Sequence, residues 1–212
     1  MEREELKKLY RRLKPTIESK LISFRQSFER GNNSIWNELC FCILTANTSA
    51  KMALHFSGKL LQVDFDKPEE ILSILKQGYR FPNTRTHYIH TTRNYLKKEC
   101  GLDLQQKITS FRDDKIALRD YFALTPSIKG LGFKESSHFL RNIGIFGYSI
   151  LDKHILKSLV EFGLIQSDRP PRNRSEYLRI ENVMVEFARE LEINIDHLDL
   201  LLWYGKTGEI LK

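Results

Sequence analysis

The chain has 212 residues, of which 41% are apolar and 29% charged, a balance that suits one or two soluble globular domains with a core that needs no staples. No run approaches the roughly 18 consecutive apolar residues of a membrane span, the N-terminus MEREELKKLY has no apolar signal region, and Cys40, Cys42 and Cys100 are too few and too unevenly spaced for a disulfide framework or a four-cysteine metal site. A membrane protein, a secreted mini-protein and a zinc ribbon are thereby excluded, while the net charge of +7 leans toward a polyanionic partner without choosing one, since many inert proteins are equally basic.

Helical spacing of apolar residues dominates. Leu6, Leu9, Leu13, Ile17, Leu21, Phe24 and Phe28 step by three or four along one stripe, which Pro15 should divide into two helices or kink. Ser34 is placed to cap a second helix with its core at Leu39 to Leu44. Asn47, Thr48 and Ser49 read as a break and a new cap. Asp66 with Glu69 resembles a capping box, and Gly78 a stop. A helix from Asn83 or Thr84 should run through Tyr88, Ile89, Tyr95 and Leu96 to Gly101. Further helices are predicted from Asp113 to Phe122 and over 133–143, 153–162, 175–191 and 197–204. Ile143 to Leu151 is the best strand candidate, though short and interrupted by Gly144 and Gly147. Gln166 to Asn173, with Pro170 and Pro171, reads as a loop. The fold class is all-α.

The segment Ser127 to His154, SIKGLGFKESSHFLRNIGIFGYSILDKH, carries the chemistry. Gly130-Leu131-Gly132 lies between two helical patterns. Glycines one residue apart permit a tight turn and a close backbone approach. N–H groups at the start of the following helix suit a phosphate oxygen. Read alone, the pair is equally a glycine helix stop. Lys134 falls in the first turn of the second helix, where the positive helix end disfavours an ammonium and favours the free amine that a nucleophile needs. Asp152 is placed to cap the next helix, whose N–H groups keep a carboxylate ionised. Taken singly, these residues read as a surface lysine and an ordinary cap.

Together, Lys129-Gly130-Leu131-Gly132-Phe133-Lys134 and Leu151-Asp152-Lys153-His154 resemble the helix-hairpin-helix and downstream aspartate of the DNA glycosylase superfamily that includes endonuclease III. Within it the chain most resembles the compact prokaryotic 8-oxoguanine DNA glycosylase/AP lyases of the second type. Cys40-Phe41-Cys42-Ile43-Leu44-Thr45-Ala46-Asn47, Ser137-His138-Phe139-Leu140-Arg141-Asn142 and the run from Trp203 to Lys212 add to the likeness, which covers nearly the whole chain. The sequence is too short for the extra β domain of the eukaryotic type and lacks the four-cysteine iron–sulfur site of endonuclease III.

The resemblance implies two helical subdomains with a DNA cleft between them: 33–147 as a barrel ending in the hairpin, and 1–32 plus 148–212 as the other half. It implies that the damaged nucleotide is flipped out of the duplex. Lys134 then attacks the sugar C1′ and displaces 8-oxoguanine, and the resulting Schiff base permits β-elimination of the 3′ phosphate. Asp152 stabilises positive charge on the sugar. No metal or redox cofactor is required. The partner is double-stranded DNA containing 8-oxoguanine, with no membrane; a monomer in the cytoplasm, at the prokaryotic nucleoid, is expected.

Guanine and its 8-oxo form differ chiefly at C8 and N7, where the lesion presents a donor, so discrimination calls for a placed acceptor. The family associates its C-terminal lysine with this task; here that residue is Lys212, whose terminal carboxylate would be the acceptor, with a frayed terminus as the alternative. Trp203 is a candidate to stack on the flipped base, with plain core as the alternative. Phe81 reads as a wedge into the vacated stack or as a contact anchoring its loop. Lys129, Gly130, Leu131 and Gly132 are the expected DNA-binding hairpin. His138 and His154 read as structural, and Cys40 and Cys42 as buried and inert. Lys129, Lys134, Arg141, Lys153 and Lys157, with Arg169, Arg172 and Arg174 near the Pro-Pro loop, form a basic set suited to phosphates. Two other readings stay open: the same fold acting on oxidised pyrimidines, and a helix-hairpin-helix module that binds DNA without catalysis.

Overall fold

A computed structural model describes residues 2–112 and 114–210. Among them the chain forms eleven α-helices, one 3₁₀ turn and no strand. It divides into two compact units, Gln26–Ile143 and Met1–Arg25 with Gly144–Lys212; the sequence reading set these boundaries later, at residues 33 and 148.

The first helix, α1 (Arg3–Glu29), is continuous through Pro15, contrary to the expected division. Proline removes one helical hydrogen bond, but Pro15 is exposed and the apolar stripe on either side of it, Leu6, Ile17, Leu21 and Phe24, is buried. Packing therefore outweighs the local penalty.

In the unit Gln26–Ile143, α2 (Asn32–Thr45) is the central helix, with Ile35, Trp36 and every residue from Glu38 to Leu44 buried. The apolar run that includes Cys40 and Cys42 is thus a helix covered on all sides, and burial pushes the Cys40 thiol well above its usual range. Its start is Gly31, at φ 91°, rather than Ser34; the Asn32 side chain instead accepts from the Gln105 N–H at 2.8 Å. Its last carbonyls are taken by Tyr79, which donates to Leu44, and Arg85, which donates to Ala46 at 2.6 Å. Around α2 stand α3 (Ala50–Lys59), capped by Ser49 as expected, the 3₁₀ turn Leu60–Gln62, and α4 (Pro68–Leu75), which Lys67 precedes. Asp66 is no cap: Lys97 at 2.6 Å and Arg93 at 3.3 Å hold it and lower its pKa. The helix stops at Leu75, short of Gly78.

Next, α5 (Pro82–Cys100) starts on a proline at its first position and ends at Gly101 in the left-handed region. A short helix that apolar periodicity did not announce, α6 (Leu104–Thr109), is capped by Asp103. Helix α7 (Lys115–Leu124) is capped by Asp114; the predicted start at Asp113 lies outside the described residues. Helix α8 (Phe133–Asn142) completes the unit, with Phe139 against Phe122 at 4.9 Å between ring centroids.

In the other unit, α9 (Lys153–Glu161), α10 (Arg174–Leu191) and α11 (Ile195–Thr207) pack with the N-terminal part of α1. Arg3 meets Glu190 at 2.7 Å, and the Tyr10 hydroxyl meets His197 Nδ1 at 3.0 Å. Residues 143–151 are not a strand. Gly144 begins this segment at φ 80°, and a Cβ there would lie 2.6 Å from the Arg25 Cα. The obstacle is backbone and cannot swing aside. Gly144→Ala is expected to destabilise the protein by more than about 2 kcal/mol, measured by urea denaturation; an unchanged midpoint would contradict the close approach.

Candidate nucleic-acid interface and its two functional segments

The hairpin is seated on one face of α5. Arg85, Tyr88 and Thr92 recur at helical spacing, and each does a different task. Arg85 is buried and ties off the end of α2. Tyr88 backs Gly130, where a Cβ would meet the Tyr88 Cδ2 at 2.8 Å and the Ile43 Cγ2 at 3.3 Å. The Thr92 hydroxyl accepts from the Lys129 N–H at 2.8 Å. Gly130 also has φ 80°, so glycine is needed both for the turn and for the approach. Leu131 is buried and anchors the turn, so what it can offer DNA is backbone. Gly132 is exposed at the start of α8.

Lys134 is the second residue of α8, as the sequence reading placed it. The structure adds a partner that reading omitted: Lys134 Nζ lies 2.8 Å from Glu135 Oε1, with Lys134 one-third exposed. The expected free amine is therefore met here by a carboxylate. Glu135 Oε2 lies 3.4 Å from the Gly132 N–H. Glycine has no side chain with which to reciprocate, so this is half of a capping box.

In the other unit, Asp152 caps α9 as expected. Its Oδ1 accepts from the N–H groups of His154 at 2.8 Å and Ile155 at 2.9 Å. Both bonds end on one oxygen, and Oδ2 makes none among the described residues. The segment leading to Asp152 is held by buried acids on α10 and α11. The Gly147 N–H donates to Asp196 Oδ1 at 2.9 Å, the Ser149 N–H to Glu181 Oε1 at 3.0 Å, and the Ile150 N–H to Asp199 Oδ1 at 2.9 Å. The Tyr177 hydroxyl donates to the Ser149 carbonyl at 2.6 Å and accepts from the Leu151 N–H at 3.4 Å. These carboxylates take the place of a neighbouring strand. Their signal in the sequence is acids set among apolar positions of amphipathic helices.

Trp203, on α11, is half-buried and turns its ring edge-on to His154, 6.2 Å between centroids. It stands beside the start of α9. Phe81 is 48% exposed. It sits at φ 61°, a left-handed conformation that costs a bulky residue about 1–3 kcal/mol, with the Arg80 guanidinium 4.7 Å over its ring. Arg141 is 3% exposed and so leaves the expected basic set, whereas Lys153, Lys157, Arg169 and Arg172 are exposed. Lys212 lies outside the described residues.

Comparison with known proteins agrees with this arrangement. The sequence model of a family described as 8-oxoguanine DNA glycosylase matches residues 17–193. The chain belongs to that family. It is 38% identical over 203 residues to the 8-oxoguanine DNA glycosylase/AP lyase of Korarchaeum cryptofilum, covering 95% of this chain and 92% of that one. A relative of the same description from Methanocaldococcus jannaschii is 35% identical over 202 residues, covering 94% and 93%. Its crystal structure in complex with a 15mer DNA containing 8-oxoguanine superposes with a TM-score of 0.85 at 32% identity, over 98% of this chain and 100% of that one. The 8-oxoguanine DNA glycosylase of Thermotoga maritima gives 0.85 at 31% identity, over 99% and 98%. The family match spans both the hairpin and the Asp152 segment.

The seat on α5 is testable without touching a reactive group. Thr92→Val keeps the side-chain shape and removes the acceptor for the Lys129 N–H. It is expected to cost about 1–3 kcal/mol and to weaken binding to a duplex. Denaturation and fluorescence anisotropy would check this; unchanged values of both would dismiss the seat.

Proposed function

We propose that the chain removes 8-oxoguanine from duplex DNA and then cleaves the strand 3′ to the abasic site by β-elimination. One observation carries this reading: a lysine in the first turn after a glycine hairpin, in a chain that aligns almost end to end with proteins named 8-oxoguanine DNA glycosylase/AP lyase.

In this reading the hairpin backbone from Lys129 to Gly132 holds a phosphodiester, and the flipped nucleotide is brought to Lys134. The Nζ lone pair attacks C1′, a C–N bond forms, and the glycosidic bond to N9 breaks. The departing base carries away the electron pair and takes up a proton. Opening of the sugar leaves a Schiff base, which acidifies the C2′ proton. Its loss expels the 3′ phosphate. Asp152 supplies negative charge to the oxocarbenium-like sugar. Its capping geometry suits this, because Oδ1 takes both helix N–H groups and Oδ2 is left without a hydrogen bond among the described residues. Phe81 fills the gap left in the stack, and Trp203 and Lys212 are the base-recognition residues by family resemblance. The exposed lysines and arginines supply phosphate affinity that weakens with salt.

The test uses duplexes that each carry one defined lesion, with borohydride to reduce any Schiff base. An adduct is expected on the 8-oxoguanine duplex. Lys134→Gln should abolish it while leaving most DNA binding. Asp152→Asn keeps the Oδ1 cap, since asparagine caps as well as aspartate, and should slow base release about 100-fold at unchanged thermal stability. Binding without any adduct in the parent protein would reduce the chain to a DNA-binding module. An adduct confined to oxidised pyrimidines would reassign the lesion.

A further inference from the structure

We propose that Glu135 is a positioning residue for Lys134, holding its amine at the hairpin end of α8; this rests on the reading of Lys134 as the nucleophile. Neighbouring residues on a helix do not face each other, so a pair at i and i+1 needs a cause. Here the Lys134 stem folds back across the first turn until Nζ reaches Glu135 Oε1 at 2.8 Å. Glu135 is itself restrained. Its side chain is 14% exposed, and its second oxygen faces the Gly132 N–H at 3.4 Å. One carboxylate thus joins the last glycine of the hairpin to the reactive nitrogen. The hairpin in turn is fixed on Tyr88 and Thr92.

A lysine side chain has many rotamers to lose on being held in place, and misplacement of a reacting atom by about 1 Å can cost about 100-fold in rate. A tether that removes part of that freedom before DNA arrives favours attack. It forms no bond to substrate. Glu135 therefore acts through Lys134, and its loss should appear in the rate of Schiff-base formation and not in DNA affinity.

The experiment measures single-turnover borohydride trapping on a duplex with a preformed abasic site, and Kd on a duplex carrying a tetrahydrofuran analogue that cannot form a Schiff base. Glu135→Ala is expected to slow trapping about 10-fold with Kd within about twofold. Glu135→Gln keeps a single oxygen acceptor, enough for the contact to Nζ but not for the Gly132 N–H as well, and should recover part of the rate. Glu135→Asp suits an early helix position but is too short to reach Nζ, so it should trap slowly at parental stability; it carries the test if the alanine variant fails to fold. A purely structural cap would lower the melting temperature of Glu135→Ala and leave the trapping rate per folded molecule unchanged. That result, or a glutamine variant no faster than the alanine one, overturns the proposal. Lys134→Gln in the same assay separates the two claims. An adduct that survives there refutes the nucleophile, whereas its loss beside a full-rate Glu135→Ala refutes only the tether.

Discussion

Gly130 has no room for a side chain, and the geometry of the hairpin and of the start of α8 follows from that. The absent Cβ lets the backbone turn at positive φ directly against Tyr88 and Ile43. Once it is there, Thr92 takes the Lys129 N–H and buried Leu131 pins the turn. Helix α8 then begins after Gly132, with Lys134 in its first turn. A larger residue at position 130 would displace the hairpin turn and Lys134 together, because the same few residues position both.

Asp152 is delivered by a different device. Its segment reaches the helix start as neither helix nor strand, with Asp196, Glu181, Asp199 and Tyr177 accepting its N–H groups. Buried acids are costly unless their bonds are made, and here main-chain donors make them. Both devices use interior polar groups to fix backbone, so that Lys134 in one unit and Asp152 in the other stand where a helix begins.

Helix identity was legible wherever apolar spacing and turn chemistry agreed, as at Ser49, Gly101, Asp152 and the stripe of α1. It failed where local chemistry was overruled. Pro15 did not break α1, because the buried residues on both sides hold the helix. Asp66 looked like a cap but answers to Arg93 and Lys97, residues nearly thirty positions away. The candidate strand 143–151 has the apolar content of a strand, yet its hydrogen-bond partners are acids far along the chain. The places of Lys134 in the first turn of α8 and of Asp152 as the cap of α9 were legible in the sequence, whereas the contact of Lys134 with Glu135 was not, because adjacency in sequence does not announce a contact on a helix. Thr92 and Tyr177 were invisible for the same reason: each acts on backbone brought near only by folding.

The most direct measurement is the site of covalent attachment. The parent protein is reduced by borohydride on an 8-oxoguanine duplex, digested with trypsin and nuclease, and sequenced by mass spectrometry. The sugar remnant is expected on Lys134, within a peptide that trypsin no longer cuts at that residue. Attachment to another lysine or to the N-terminal amine would contradict the account, since the hairpin and the helix it starts would then be presenting the wrong nitrogen.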